Sequence, residues 1–551
     1  MKVIIVGGVA GGATAAARLR RLDEKAEIII LERSGFVSYA NCGLPYYIGG
    51  VILSKEDLTL QTPQSFKNRF NIDVRIKNEV IKINPDEKTV DVTDLETGRI
   101  YKESYDKLIL SPGAKSIVAD VPVEDKSKIM TLRTVEDTYS IYEYMRDKKP
   151  KNAVIVGGGF IGLEMAENLL ERGLRTTLIQ LSDHVMPTLD YDMACQVHSY
   201  LREKGLDLRL NQIKPDQEIF DNADIVIMSV GVLPETDIAK EAGLQLGIKG
   251  AIVVNDYMET SKKDIYAVGD AVEVKNYIGG EKTVIPLAGP ANKQGRIVAD
   301  NICGIKSKYK GSQGSSVIKL FDMTVATTGL NEKTAKTLGI KYDKVINFSA
   351  SHATYYPGAT NMTIKTLFDP DTGKILGAQI IGFTGVDKRI DVLATAIRAG
   401  MTAADLSELE LAYAPPYSSA KDPVNMIGFV IENILAGRLK QYHFDDICKL
   451  PTDGSVTILD GRSRAEYAEG AIKGAINIPV DILRENIHKL DKNKPVYVYC
   501  YSGLRSYIAC RILSQNGYDC YNLSGGYGFY EYIIKNKTLE NETRFDCGIK
   551  K

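Results

Sequence analysis

Tryptophan is absent from this chain, histidine occurs five times and cysteine eight times in 551 residues. The cysteines (42, 195, 303, 448, 500, 510, 520 and 547) are scattered, with no metal-ligand spacing among them, which argues against structural zinc and against a secreted disulfide framework. No metal site is expected. After Cys42 no cysteine follows until Cys195, so the C-x-x-C and C-x-x-x-x-C spacings of an internal redox dithiol are missing. Charge of one sign is also missing. Lys plus Arg total 69 against 70 for Asp plus Glu, a net charge of −1, and no basic footprint is available for nucleic acid or anionic lipid. No stretch approaches the roughly 20 apolar residues that span a bilayer, and the opening MKVIIVGG is too short an apolar run for a signal peptide. A cytoplasmic protein with neither nucleic-acid nor membrane partners is expected.

What is present is length and glycine-punctuated strands. Single cores stop growing at about 250–300 residues, so three or four domains are expected. Residues 2–6, KVIIV, run into GGVAGG, then a helical pattern (ATAAARLRRL) and a second strand (AEIIILE). In this βαβ unit Gly7, Gly11 and Gly12 permit a tight turn and close approach of backbone to a pyrophosphate at a helix N-terminus. Glu32 ends the second strand, where an acid can bond a ribose, and Val9 replaces the middle glycine of G-x-G-x-x-G. A second copy, AVIVGGGFIG at 153–162, has the full pattern in Gly157, Gly159 and Gly162, and its second strand ends in Gln180. Two such units imply two nucleotide cofactors. An amide at 180 can bond a ribose hydroxyl without repelling a 2′-phosphate, which leaves NADH and NADPH both open. The lack of Arg or Lys just after Gln180 favours NADH.

Cys42 lies in SYANCGLPYY (38–47), after the second strand, where a helix is expected to start. A helix N-terminus lowers a thiol pKa from about 8.5 toward neutrality, so a reactive thiolate is expected there. A polar segment, GRLKQYHFDDICKLPTDGS, then separates the main body from a tail in which the strand VYVYC enters the loop CYSGLR (500–505) ahead of a helix. A cysteine so placed gathers backbone amides around its sulfur, a nest for an anionic persulfide, and Arg505 adds fixed charge. Cys510 and Cys520 read as core, and Cys547 as an exposed residue of the polar tail.

The segment TSKKDIYAVGDA (260–271) resembles the second flavin motif of the two-dinucleotide-domain flavoprotein disulfide reductases, with Asp270 in the place of the ribityl-bonding Asp. The resemblance implies FAD at the first fold and NAD(P)H at the second. Together with GGVAGG and YAPPYSSAKDPVN (413–425), NCGLPYY is similar to the coenzyme A-disulfide reductase branch of the single-cysteine members, over residues 1–440. In that branch Cys42 would form a mixed disulfide with coenzyme A, reduced by hydride passed from nicotinamide through flavin. The proton donor it implies is a tyrosine pair from the partner subunit of a homodimer, Tyr355 and Tyr413, with Tyr356 and Tyr417 close by in sequence. No C-terminal His-Glu motif is present. Coenzyme A contacts implied by the same resemblance are Thr14, Arg18, Arg21, Ser38, Asn41 and Lys421; without it, Arg18 and Arg21 read as a solvated helix face. NADH oxidases and peroxidases, which cycle one cysteine through sulfenic acid, are the nearest rivals, but Ala10 stands where they carry a His.

The tail resembles a rhodanese domain, on the six-residue loop 500–505, LSGGY (523–527) and LDGR (459–462), with Ala471 in place of a common His. The expected fold is therefore α/β: two Rossmann-like dinucleotide-binding domains, an α+β dimerisation domain and a C-terminal α/β rhodanese-like domain. The boundaries expected are FAD domain 1–150 and 256–316, NAD(P)H domain 151–255, dimerisation domain 317–440, linker 441–453 and rhodanese-like domain 454–540. The activity expected is NAD(P)H-dependent reduction of coenzyme A disulfide, coenzyme A persulfide or polysulfide, with Cys500 handling sulfane sulfur. A sulfur carrier or redox-sensing module is the other alternative.

Overall fold

The β-branched run Lys2–Val6 forms β1, whose last four residues are fully enclosed. Continuous apolar runs of this kind suit parallel strands covered on both faces. In the computed structural model, which describes residues 1–539 and 549–550, β1 leads to α1 (Ala10–Leu22), β2 (Glu27–Glu32) and the short helix α2 (Leu44–Gly49). β3 (Asp73–Ile76) and β4 (Lys107–Leu110) extend the same sheet, and β5 (Ile129–Thr131) starts the next. β6 (Asn152–Val156), α3 (Phe160–Glu171) and β7 (Arg175–Ile179) repeat the first βαβ unit. The segment Asp183–Gly205, carrying α4 (Tyr191–Glu203), groups with the second of two units, while β8 (Asp207–Arg209), β9 (Ile225–Met228), β10 (Ile265–Ala267) and α5 (Ala288–Ile302) belong to the first.

The first unit holds two five-stranded parallel sheets. Their orders are β10-β4-β1-β2-β3 and β8-β7-β6-β9-β5. β10 returns beside β4 after the second sheet is complete, with Ile265 opposite Leu108. β5 lies inside the segment 1–150 expected for the first fold, yet it pairs with β9 of the second sheet, Val226 opposite Ile129. α1 is alanine-rich on its buried side (Ala13, Ala15, Ala16). This lets α5 come so close that a Cβ at Gly295 would overlap the Gly11 carbonyl oxygen.

The second unit contains an antiparallel sheet of β11 (Ser316–Leu320), β12 (Met323–Gly329), β13 (Asp343–Ala350), β14 (Asn361–Phe368) and β15 (Ile375–Gly382), in the order β11-β12-β15-β14-β13. Lys365 of β14 is wholly buried, with Nζ 2.9 Å from Asp190, 2.7 Å from Asp192 and 2.5 Å from Glu332. That ion network ties the start of α4 to the sheet. A parallel sheet follows, built from β16 (Gln441–Tyr442), β17 (Thr457–Asp460), β18 (Ile476–Asn477), β19 (Val496–Tyr499) and β20 (Cys520–Leu523), in the order β16-β20-β19-β17-β18. The helices used below are α6 (Arg464–Glu469), α7 (Leu504–Gln515) and α8 (Gly526–Leu539).

The segment 441–453, expected as a linker, differs from that expectation. Tyr442 is buried in the aromatic cluster under the last sheet and Gln441 pairs with Asn522, so the module begins at Gln441. It is fastened to β13 and α4 by directed polar contacts. Ile346 donates its N–H to Ser524 Oγ (3.1 Å), Gln441 Nε2 donates to the Lys344 carbonyl (2.7 Å), and the buried Asn536 of α8 takes a bond from Arg202 (2.6 Å) while giving one to the Cys195 carbonyl (2.8 Å). Cys510 and Cys520 lie in the core of this module as expected; Cys547 falls outside the described residues.

Candidate functional site

The two glycine loops are superimposable in their constraints. Gly7 and Gly157 both have positive φ (90° and 109°), where a side chain would be strained and would collide with the carbonyls of Ser111 and Ser229. A Cβ at Gly12 would overlap the Gly7 carbonyl oxygen, and one at Gly162 the Gly157 oxygen, so each third glycine lets helix pack on strand. Gly159 is different: a Cβ there meets nothing within 4 Å, so its smallness leaves room for a group from outside the chain. The residues ending β2 and β7 also correspond. Glu32, buried, accepts N–H bonds from Gly8 (2.8 Å) and Ser34 (2.9 Å), and Gln180 accepts one from Gly158 (2.9 Å) while donating to Ser182 (2.7 Å). Each therefore braces its own loop. A carboxylate has about four lone-pair directions, so Glu32 can brace the loop and still accept from ribose hydroxyls. Gly11, against Val268 and Ser111, and Asp270, after β10, complete the first loop's surroundings; Asp270 is held by Arg133 at 2.5 Å.

Cys42 is a free, exposed thiol in the single turn Asn41–Gly43 that opens into α2. α2 lies on α3, and a Cβ at Gly49 would overlap the buried Asn168 side chain. Tyr46 of α2 donates to Glu164 of α3 at 3.2 Å. The expectation of a lowered thiol pKa is corrected here. Desolvation by the surrounding protein and then the Glu164 carboxylate push the Cys42 thiol up, Asp270 adds to this, and Arg133 opposes it. The N-terminus of the six-residue helix α2 does not outweigh burial and the carboxylate charge. Glu164 is itself raised to about 7, chiefly by burial, with the neighbouring Glu167 adding to it.

The other expected contacts divide into committed and open ones. Arg18 is not a freely solvated group: its Nε and a terminal nitrogen both reach Asp300 Oδ1 of α5 at 2.8 Å. Thr14 donates to Asn292 (2.8 Å), whereas Arg21 is exposed. Ser38, at φ 49°, has its N–H bound to the Gly8 carbonyl, which ties the segment leading to the part-exposed Asn41 and to Cys42 to the first glycine loop. In the second unit, Tyr355 and Tyr413 come from loops 58 positions apart, yet their hydroxyls are 2.8 Å apart on the surface. The buried Arg389 binds Ser418 (2.9 Å) and Asp422 (3.0 Å), fixing the loop that carries Tyr413 and the exposed Lys421.

Cys500 is fully buried at the end of β19. Its sulfur receives the Gly503 N–H at 3.1 Å and the Ser506 hydroxyl at 3.3 Å, so the nest combines one amide with a hydroxyl, in place of the several amides expected. The loop is clamped from beneath by LSGGY, where Tyr527 N–H bonds the Cys500 carbonyl at 2.7 Å and Gly526 has no room for a side chain. Arg505 holds both carboxylate oxygens of Glu466 of α6, at 2.8 and 2.7 Å, and also interacts with the Cys500 sulfur.

Residues 1–295 match the pyridine nucleotide-disulphide oxidoreductase family, 315–423 that family's dimerisation domain and 445–530 the rhodanese-like domain. The chain belongs to the pyridine nucleotide-disulphide oxidoreductases. It is 40% identical to the coenzyme A disulfide reductase of Staphylococcus haemolyticus over 438 residues, 78% of this chain and 98% of that one. Among solved structures it is similar to the reduced CoADR-RHD of Bacillus anthracis (47% identity, TM-score 0.94, 97% of this chain and 98% of that). It is also similar to an NAD-dependent persulfide reductase from A. fulgidus (36%, TM-score 0.88, 96% and 100%). The water-forming NADH oxidase of Lactobacillus brevis is more distant, at 28% identity and TM-score 0.75, over 80% of this chain and 99% of that one.

The protein is thus an oxidoreductase of a family that uses FAD and NAD(P)H. The residues present fit both groups. Gly7, Gly11, Gly12, Glu32 and Asp270 line the first loop, and the open space over Gly159 with Gln180 suits the nicotinamide nucleotide. Sequence reasoning missed Glu164, Arg133, Tyr46 and Glu466. Glu164 follows Gly162 by two positions in GFIGLEMAE, and that closeness to the second loop was a usable signal.

Proposed function

We propose that this protein uses NADH to reduce coenzyme A disulfide and coenzyme A persulfide, holding coenzyme A in a mixed disulfide with Cys42. One observation carries the reading: Cys42 is an exposed thiol with no cysteine partner, in the turn that leads into a helix packed against the helix of the nicotinamide loop. The other free cysteine of its unit, Cys303, ends α5 close to Asp23 and Asp300. A redox disulfide at Cys42 must then be completed by a thiol from outside, and the S. haemolyticus relative is named for coenzyme A disulfide.

The Cys42 thiolate attacks one sulfur of the substrate disulfide, forming a new S–S bond as the electron pair of the old one leaves on the departing thiolate. FAD, which Gly7, Gly11, Gly12, Glu32 and Asp270 would hold, would supply the electron pair for reduction of the mixed disulfide, and NADH, at the loop of Gly159 and Gln180, would supply it in turn. The raised thiol of Cys42 suits this cycle, because reduced protein without substrate keeps the sulfur protonated and protected. Tyr355 and Tyr413, contributed by the partner subunit of a homodimer, protonate the leaving thiolate; a phenol bonded to a second phenol can be replenished as it gives up its proton. Thr14, Arg18, Arg21, Ser38, Asn41 and Lys421 contact coenzyme A, with Thr14 and Arg18 anchored to α5 through Asn292 and Asp300. Cys500 and Arg505 handle sulfane sulfur, from polysulfide or a persulfide. A cytoplasmic setting, where NADH is at hand, accords with this chemistry, and among the described residues no helix is long and apolar enough to cross a membrane.

The test compares NADH-dependent release of free thiol from coenzyme A disulfide by the wild type, Cys42→Ser and Cys500→Ala. Cys42→Ser should abolish release and Cys500→Ala should spare it. Thiol release that survives loss of Cys42 would overturn the reading.

A further inference from the structure

The Cys500 loop contains a positive charge that is already matched. Arg505 grips Glu466 through two bonds of 2.8 and 2.7 Å, and Glu466 is further braced by the Ser463 N–H (3.0 Å) and hydroxyl (2.9 Å), so the carboxylate is built into the start of α6. Arg505 holds the Glu466 carboxyl down to about 2, which keeps it ionised. The other guanidinium near the loop, Arg462, lies over the Tyr527 ring and is committed to Asp460 at 2.7 Å. Around the mouth, the exposed side chains are apolar: Tyr501, Leu504 and Ile508 are 46%, 60% and 41% exposed. The cation within reach of the Cys500 sulfur, Arg505, already has its charge matched by Glu466, so an approaching dianion gains less from it, while an organic chain meets apolar surface.

We propose that Glu466 sets the donor specificity of Cys500: by occupying Arg505 it turns the site away from thiosulfate and toward organic persulfides. This rests on the reading of Cys500 as a sulfane-sulfur acceptor. In the favoured step the Cys500 thiolate attacks the outer sulfur of R–S–SH; the new S–S bond forms, the donor S–S bond breaks, and its electron pair leaves on R–S⁻. With thiosulfate the same attack releases sulfite, but two negative charges must first be brought up to a thiolate.

Sulfur transfer to cyanide, which returns Cys500 to thiolate and yields thiocyanate, is measured on the full-length holoenzyme with thiosulfate and with the persulfide of 2-mercaptoethanol. The wild type should favour the persulfide in kcat/KM. Glu466→Gln keeps a capping side chain but drops the charge, and should lower the thiosulfate KM by at least about five-fold by unmasking Arg505. Adding Arg505→Gln should erase that gain, which a merely structural role for Glu466 would not produce. The salt dependence of the wild-type thiosulfate KM is a second measure that needs no variant: it should be shallow, and steep screening would show an unmatched cation. An unchanged donor ratio in Glu466→Gln, or a gain that persists without Arg505, overturns the inference. Cyanide-dependent transfer that is absent from the wild type with both donors overturns the reading of Cys500 itself, and the inference with it.

Discussion

The reactivity of Cys42 is set by residues far from it in sequence. Glu164 faces it from α3 and, being raised to about 7, is largely ionised above that pH, where its charge opposes a thiolate nearby. Replacing it by Gln removes that opposition, so Glu164→Gln should move the pH profile of Cys42 alkylation downward by about one unit. A profile that stays in place or moves up would show that burial alone governs the thiol. The residues whose placement was legible in the sequence are those in contiguous motifs: Cys42 at the turn into α2, Cys500 at the end of β19, and the glycines of the two loops. Glu164, Arg133 and Glu466 escaped because their partners are supplied by folding. The partner of Arg18 escaped for the same reason, its acceptor Asp300 lying 282 positions along the chain.

Among the elements, the two strand–loop–helix units could both be read from glycine spacing because a Cβ at the third glycine has nowhere to go. Gly162→Ala puts a methyl group onto the Gly157 carbonyl oxygen. It should raise the KM for NADH by an order of magnitude or more while leaving bound flavin and its spectrum unchanged, since the first loop is untouched. An unaltered KM in stopped-flow reduction would remove the second loop from nucleotide binding. Strand identities at the margins were less legible. β5 and β16 are two or three residues long, and nothing local distinguishes a short edge strand from a linker. Gln441–Tyr442 becomes a strand because the edge of β20 is there to receive it.

At the scale of the whole molecule, the segment Asp183–Gly205 interrupts the first unit in sequence but groups with the second. Its anchor is the buried Lys365, which serves three carboxylates and is itself held far above its usual pKa by Asp192, Asp190 and Glu332 against the cost of burial. Lys365→Ala leaves those carboxylates without their central cation and should cost about 3–5 kcal/mol. Urea unfolding followed by a probe in the second unit should show a clearly lower midpoint; an unchanged midpoint would mean that the carboxylates find protons or other partners at no cost. No pattern in the sequence announced this network, because isolated charges on a strand and a helix read as surface until both are seen enclosed.

If Cys42 takes its redox partner from coenzyme A, the mass of the protein purified without reductant will reveal it. Intact-mass and peptide-level spectra should show a coenzyme A adduct on the Cys42 peptide that NADH removes and that Cys42→Ser never acquires. A Cys42 carrying only oxygen, as sulfenic or sulfinic acid, or a coenzyme A adduct found on another cysteine, would contradict it.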